Sequence, residues 1–74
     1  MNSLERLKSI IADQLGVDEN TITEDTSLED LGTDSLALVE LVMSVEEEFN
    51  IEIADEDLET FKTVGDVLDY IAAK

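Results

Sequence analysis

Ser35 stands in the stretch LGTDSLALVELVMSVEEEFN, Leu31 to Asn50, directly after an aspartate and at the head of an apolar run whose spacing predicts a long helix. The free amides and positive dipole end of a helix's first turn favour a phosphate, so the chemistry that suits this hydroxyl is formation of a phosphodiester. Nucleophilic catalysis does not fit. The chain has no His to serve as base, and the residues around Ser35 are not the G-x-S-x-G elbow of a serine hydrolase. Serine is also common near helix starts for capping alone, and Ser3, Ser27 and Ser44 need no function. If Ser35 is special, it is modified rather than catalytic.

The elements that must position this serine are helical. Asn2 and Glu5 have capping-box spacing, Leu4, Leu7, Ile11 and Leu15 follow at helical intervals, and Gly16 is placed to end a first helix of about 12 residues. Residues 17 to 33 show neither a 3.6 nor a 2 period and carry only scattered apolars: Val17, Ile22, Leu28 and Leu31. A loop this long in so small a chain is either functional or strapped down by those apolar residues. Asp34 is a good N-cap for a second helix reaching about Phe49. Asp55 can cap a short helix through Phe61, and Thr63 with Asp66 marks another capping-box start for Val64 to Ala73. No strand pair or repeat is visible. The expected fold is an all-α four-helix bundle with a long first loop and a short third helix, a single domain over residues 1–74.

Composition narrows the function. Twenty acidic residues against four basic ones give a net charge of −16, and every charge from Asp13 to Glu59 is negative. Such a field repels nucleic acid and anionic lipid and selects partners that present Lys and Arg. Without Cys or His the chain has no disulfide framework and no thiolate or imidazole metal site, and no metal is expected. Neither a signal peptide nor an apolar run of about 20 residues is present. The expectation is a cytoplasmic monomer without membrane insertion.

The second helix is apolar on two sides. At about 100° per residue, Leu38, Leu41, Val42, Val45 and Phe49 share one stripe, and Leu36, Val39, Glu40, Met43 and Glu47 lie opposite. A bundle helix needs one buried stripe, so the wholly apolar set is assigned to the core. The mixed set then has the make-up of a docking surface, with apolar contact, steering charge and a pliable methionine. The alternative is that Val39 and Met43 merely pack under a neighbouring loop.

With those residues in view, the chain resembles the acyl carrier proteins from end to end, through LG-T-DSL, VELVMSVEEEFNIEIADED and TVGDVLDYI. The resemblance implies that a holo-acyl-carrier-protein synthase, using coenzyme A and Mg²⁺, attaches 4′-phosphopantetheine to Ser35. The thiol of that arm then holds acyl chains as thioesters. It also implies that Asp34, Leu36, Val39, Glu40, Met43, Glu46 and Glu47 dock against the basic patches of ketosynthase, acyltransferase, reductase and dehydratase enzymes. By the same resemblance, Leu38, Val42, Val45, Ile53, Leu58, Phe61 and Ile71 line the acyl cavity.

Some positions depart from the family pattern. Ala37 and Leu38 follow DSL where fatty-acid carriers usually have Asp and a small hydroxyl residue, Ala54 replaces a usual Pro, and Leu58 and Phe61 are bulky. The VELVMSVEEEF run points to fatty acid synthesis, whereas DSLAL is reminiscent of discrete carriers for polyketides or other secondary metabolites. Two remoter readings are an acidic helical adaptor, which leaves DSL unexplained, and a calcium-binding helix-loop-helix. Aligning Gly32 with the EF-hand glycine puts Ser27, Glu29, Leu31, Ser35 and Leu38 at ligand positions, but leucines cannot ligate and the final Glu is missing.

Overall fold

The computed structural model describes residues 2–73; Met1 and Lys74 lie outside the described residues. Four α-helices follow in order, α1 (Ser3–Leu15), α2 (Ser35–Phe49), α3 (Asp55–Leu58) and α4 (Val64–Ala72). A short 3₁₀ turn, Glu19–Thr21, interrupts the first loop.

Local signals account for the longer helices. The Asn2 side chain accepts the Glu5 amide, and α1 ends at Gly16 with φ +68°, a left-handed position that costs glycine little. α2 begins on the Asp34 side chain and ends at Asn50, also left-handed at φ +55°. Asn tolerates this conformation better than most residues that carry a side chain. α4 starts with a complete capping box between Thr63 and Asp66.

α3 departs from expectation. Asp55 is its first residue rather than its cap; Ala54 holds the cap position and has no side-chain oxygen to offer. The helix also stops after Leu58 instead of reaching Phe61. There the Thr60 hydroxyl bonds back to the Asp57 carbonyl at 2.7 Å, and the amides of Thr60 and Phe61 turn to three-residue bonds with Asp57 and Leu58. The tighter turn carries Phe61 into the core.

The core gathers residues from every part of the chain: Leu7 and Ile11 of α1, Ile22 and Leu28 of the first loop, Leu41, Val42 and Val45 of α2, then Ile53, Phe61, Val64, Val67 and Ile71. The long loop is therefore strapped down by its own apolar side chains. Its backbone is stitched to the start of α4 as well. Leu28 N donates to Lys62 O at 2.9 Å, Val64 N to Thr26 O at 3.0 Å and Gly65 N to Glu24 O at 2.8 Å, around an isolated antiparallel bridge between Ser27 and Thr63. A Cβ at Gly65 would stand 3.0 Å from the Glu24 carbonyl oxygen, so any side chain there would push the two backbones apart by a few tenths of an ångström.

At the other end of α2, Arg6 joins α1 to the helix terminus. Its Nε donates to Glu48 Oε2 at 3.0 Å and its Nη2 to the Glu48 carbonyl at 2.8 Å, while the guanidinium carbon lies 4.5 Å from the centre of the Phe49 ring. A cation at this end also complements the helix dipole.

Candidate functional site

Ser35 is held in place from both directions along the chain. Asp34 is extended, and its Oδ1 accepts the Ala37 amide at 2.8 Å while its carbonyl accepts the Leu38 amide at 2.9 Å. Ahead of it the chain turns through Gly32, at φ +86°, and Thr33 Oγ1 donates to the carbonyl of buried Leu28 at 2.8 Å. Leu28 thus links the approach to Ser35 with Lys62 at the start of α4, and the serine sits on a fixed mount.

Ser35 itself is exposed, and among the described residues its hydroxyl has no hydrogen-bond partner. The Asp34 cap satisfies one amide of the first turn and leaves those of Ser35 and Leu36 without an intrahelical acceptor. An exposed hydroxyl beside unspent donors fits the attachment of a phosphodiester. A depression of about 250 Å³ adjoins it, lined by Ser35, Leu38 and Val39 of α2 and by Asp55, Leu58 and Glu59. The leucines and valine form an apolar floor; Asp55 and Glu59 bring charge to its edge.

The residues assigned to docking divide. Leu36 is 67% exposed, Met43 58% and Val39 42%, and Asp34, Glu40 and Glu47 are exposed as well. Asp34 doubles as the helix cap, and Val39 also lines the depression beside Ser35. Glu46 differs from the rest: half-buried, it accepts the Ile53 amide through Oε2 at 2.9 Å and so ties α2 to the segment entering α3. Glu40, Met43 and Glu47 share a shallow hollow with Gln14 and Ser44, which brings α1 to the edge of this face. Nothing in the helical periodicity of α2 could have pointed to Gln14.

The residues assigned to an acyl cavity also divide. Leu38 and Leu58 meet beside Ser35, and Leu38 with Phe61 lines a second depression, of about 460 Å³, together with Thr33 and Lys62. Ile53 lines a third. Val42, Val45 and Ile71 lie in the packed core, 5%, 0% and 8% exposed. Asp55 and Glu59 join the site only because α3 and the residue after it lie across the hollow from α2.

Electrostatics are shaped by surplus charge more than by pairing. The carboxyl of Asp66 is lowered from its ordinary value because the backbone amides of Lys62 and Thr63 donate to it. Among the described residues, no group of three or more acidic side chains is arranged to hold a metal ion, and no helix is long and apolar enough to cross a membrane.

Ser3 also opens a capped helix with an unengaged hydroxyl, but Ser35 is the one that adjoins an apolar hollow, a setting suited to the attachment of a phosphate-linked group. The family model for a phosphopantetheine attachment site matches residues 5–71. Acyl carrier proteins from three strains of Clostridium perfringens are each 60% identical over 68 residues, 90% of this chain and 90% of theirs. Among solved structures, the acyl carrier protein of Thermotoga maritima superposes with a TM-score of 0.81 at 32% identity, covering 93% of this chain and 81% of that one. That of Enterococcus faecalis gives 0.80 at 35% identity, covering 95% and 90%. The chain belongs to the acyl carrier protein family, carriers rather than catalysts, and its prosthetic group is 4′-phosphopantetheine.

Proposed function

We propose that the chain carries acyl intermediates of fatty acid synthesis as thioesters on a 4′-phosphopantetheine arm attached through Ser35 Oγ. A carrier protein synthase with Mg²⁺ would join Ser35 Oγ to the phosphopantetheine phosphorus of coenzyme A, breaking the pyrophosphate bond and releasing adenosine 3′,5′-bisphosphate and the hydroxyl proton, so the chain is the substrate of a transferase. The observation that carries this reading is the exposed, unengaged Ser35 hydroxyl, mounted on the Asp34-capped turn beside the hollow formed with Leu38 and Leu58.

When bound, the arm supplies a terminal thiol for thioester formation. The chain's own residues orient and attract. Asp34 fixes the first turn, and Leu28 through Thr33 fixes the approach to it. Leu36, Val39 and Met43 offer apolar contact, while Glu40 and Glu47, about two helical turns apart, steer enzymes that carry basic patches such as ketosynthase, acyltransferase, reductase and dehydratase. Leu38, Leu58 and Phe61 are the side chains an acyl chain meets first. The protein works as a cytoplasmic monomer, a single domain.

Incubation with coenzyme A, Mg²⁺ and a carrier protein synthase should add one phosphopantetheine, seen by intact mass. Ser35→Ala should abolish the addition and leave the helical content unchanged. Labelling that persists in that variant would sink the assignment.

A further inference from the structure

The shortest helix is also the wall of the hollow beside Ser35. α3 has four residues and no side-chain cap, and a single helical turn has little stability of its own. Its position on the bundle must come from what its side chains touch. Two depressions share this segment. Leu58, with Asp55 and Glu59, faces the hollow that contains Ser35. Asp57, with Ile53 and Ala54, lines the other, of about 440 Å³, whose remaining walls are Glu46, Glu52 and Tyr70. The position of α3 therefore sets the shape of both depressions.

Tyr70 of α4 holds this segment at two points. Its hydroxyl donates to Asp57 Oδ2 at 2.8 Å, and its ring meets Phe61 edge-on, with centroids 5.5 Å apart and planes at 81°. The ring contact packs the residue that follows the turn; the hydroxyl bond grips α3 itself. The Glu46–Ile53 bond anchors the chain just before α3, so the Tyr70 bond acts on the part left free to swing.

We propose that the Tyr70–Asp57 hydrogen bond is a latch that positions α3 and thereby sets how long an acyl chain the hollow beside Ser35 accepts. The latch acts through Leu58. A chain that outgrows the hollow must displace this side chain, and the one-turn helix carrying it yields before the 15-residue α2 opposite. Tyr70 is thus a positioning residue, and its effect on chain length rests on the reading of Ser35 as the attachment point.

Tyr70→Phe removes the hydroxyl and keeps the ring, whereas Asp57→Asn removes the charge and keeps an acceptor. In the unmodified protein, amide hydrogen exchange at Thr60 and Phe61 should quicken by about tenfold in Tyr70→Phe, relative to Leu41 and Val45 in α2, as expected for the loss of one hydrogen bond. Asp57→Asn should stay close to wild type. Equal acceleration at all four amides, or none, would overturn the latch. In proteins loaded with a series of straight acyl chains, the length that raises the melting temperature most should move upward in Tyr70→Phe and hold in Asp57→Asn; an unchanged optimum in Tyr70→Phe would overturn the control of chain length. Failure of the wild type to take the arm would overturn the Ser35 reading together with the chain-length part of the proposal, while the exchange measurement still tests the latch on its own.

Discussion

α2 and α3 face one another across the hollow beside Ser35, yet they are held in opposite ways. α2 has 15 residues, a side-chain cap at its start, a left-handed Asn50 at its end and the Arg6 clamp on its last turn. α3 has four residues, an alanine at its cap position and side-chain tethers from neighbouring elements. A helix with its own caps and a long buried stripe is held at many points, so the loss of any one contact moves it little. One turn of helix keeps only the place its tethers give it. The element that displays the serine and the exposed Leu36, Val39 and Met43 is thus the stiff one, and the wall across the hollow from it is the adjustable one.

The strongest way to break this contrast is to remove the packing beneath α3. Phe61 is 7% exposed, and Phe61→Ala should lower unfolding free energy by about 3 to 5 kcal/mol, as for other buried aromatics. Denaturant titration measures the loss, and a loss below about 1 kcal/mol would mean that the α3 side collapses to fill the space.

Loosening the stiff side should cost less. Arg6→Gln removes the bonds to Glu48 and the contact with Phe49, and a loss of about 1 kcal/mol is expected after allowing for solvent screening, because the side chains of the pair are 37% and 46% exposed. Exchange should rise at the last turn of α2 and remain unchanged at Thr60. Acceleration at both would show that the two walls are coupled.

Stiffening the soft side should be smaller still and of opposite sign. Ala54 has φ −69° and ψ 142°, which proline adopts without strain, so Ala54→Pro should stabilise by about 0.4 to 1 kcal/mol through the unfolded chain. Thermal melts would register the gain. A drop in melting temperature would mean that the entry to α3 cannot accept the ring.

The smallest effect is expected from acid. Asp66 has its carboxyl lowered from the ordinary 3.8 by the amides of Lys62 and Thr63. Its contribution is therefore present in full above that ordinary value and is lost as pH falls through the lowered one. In salt sufficient to screen the other carboxylates, Asp66→Asn should be less stable than wild type at neutral pH, and the gap should close in strong acid. A gap independent of pH would assign the effect to packing.

What the sequence determined by itself was the stiff part. The starts of α1, α2 and α4 follow from Asn2, Asp34 and the Thr63/Asp66 pair, because a cap is a bond between residues two or three apart and its partners are written side by side. The two faces of α2 follow from a period the chain carries in full; for the first loop the sequence offered four scattered apolars and left open whether they strap it down, and the structure buries Ile22 and Leu28. Tertiary structure decided the rest. The 3₁₀ turn at Glu19–Thr21, the early stop of α3, the engagement of Glu46 with Ile53, the Arg6 clamp and the Tyr70–Asp57 bond were not legible beforehand. Glu46 shares its residue type and helix with exposed Glu47, and only the path of the chain returning past it makes one a tether and leaves the other on the surface. Arg6 and Glu48 are 42 positions apart, and no local spacing announces such a pair. Bonds across that separation form only once the hydrophobic core has chosen which elements lie together, because burying apolar area is non-directional and the polar contacts are then made by whatever side chains the packing brings within reach.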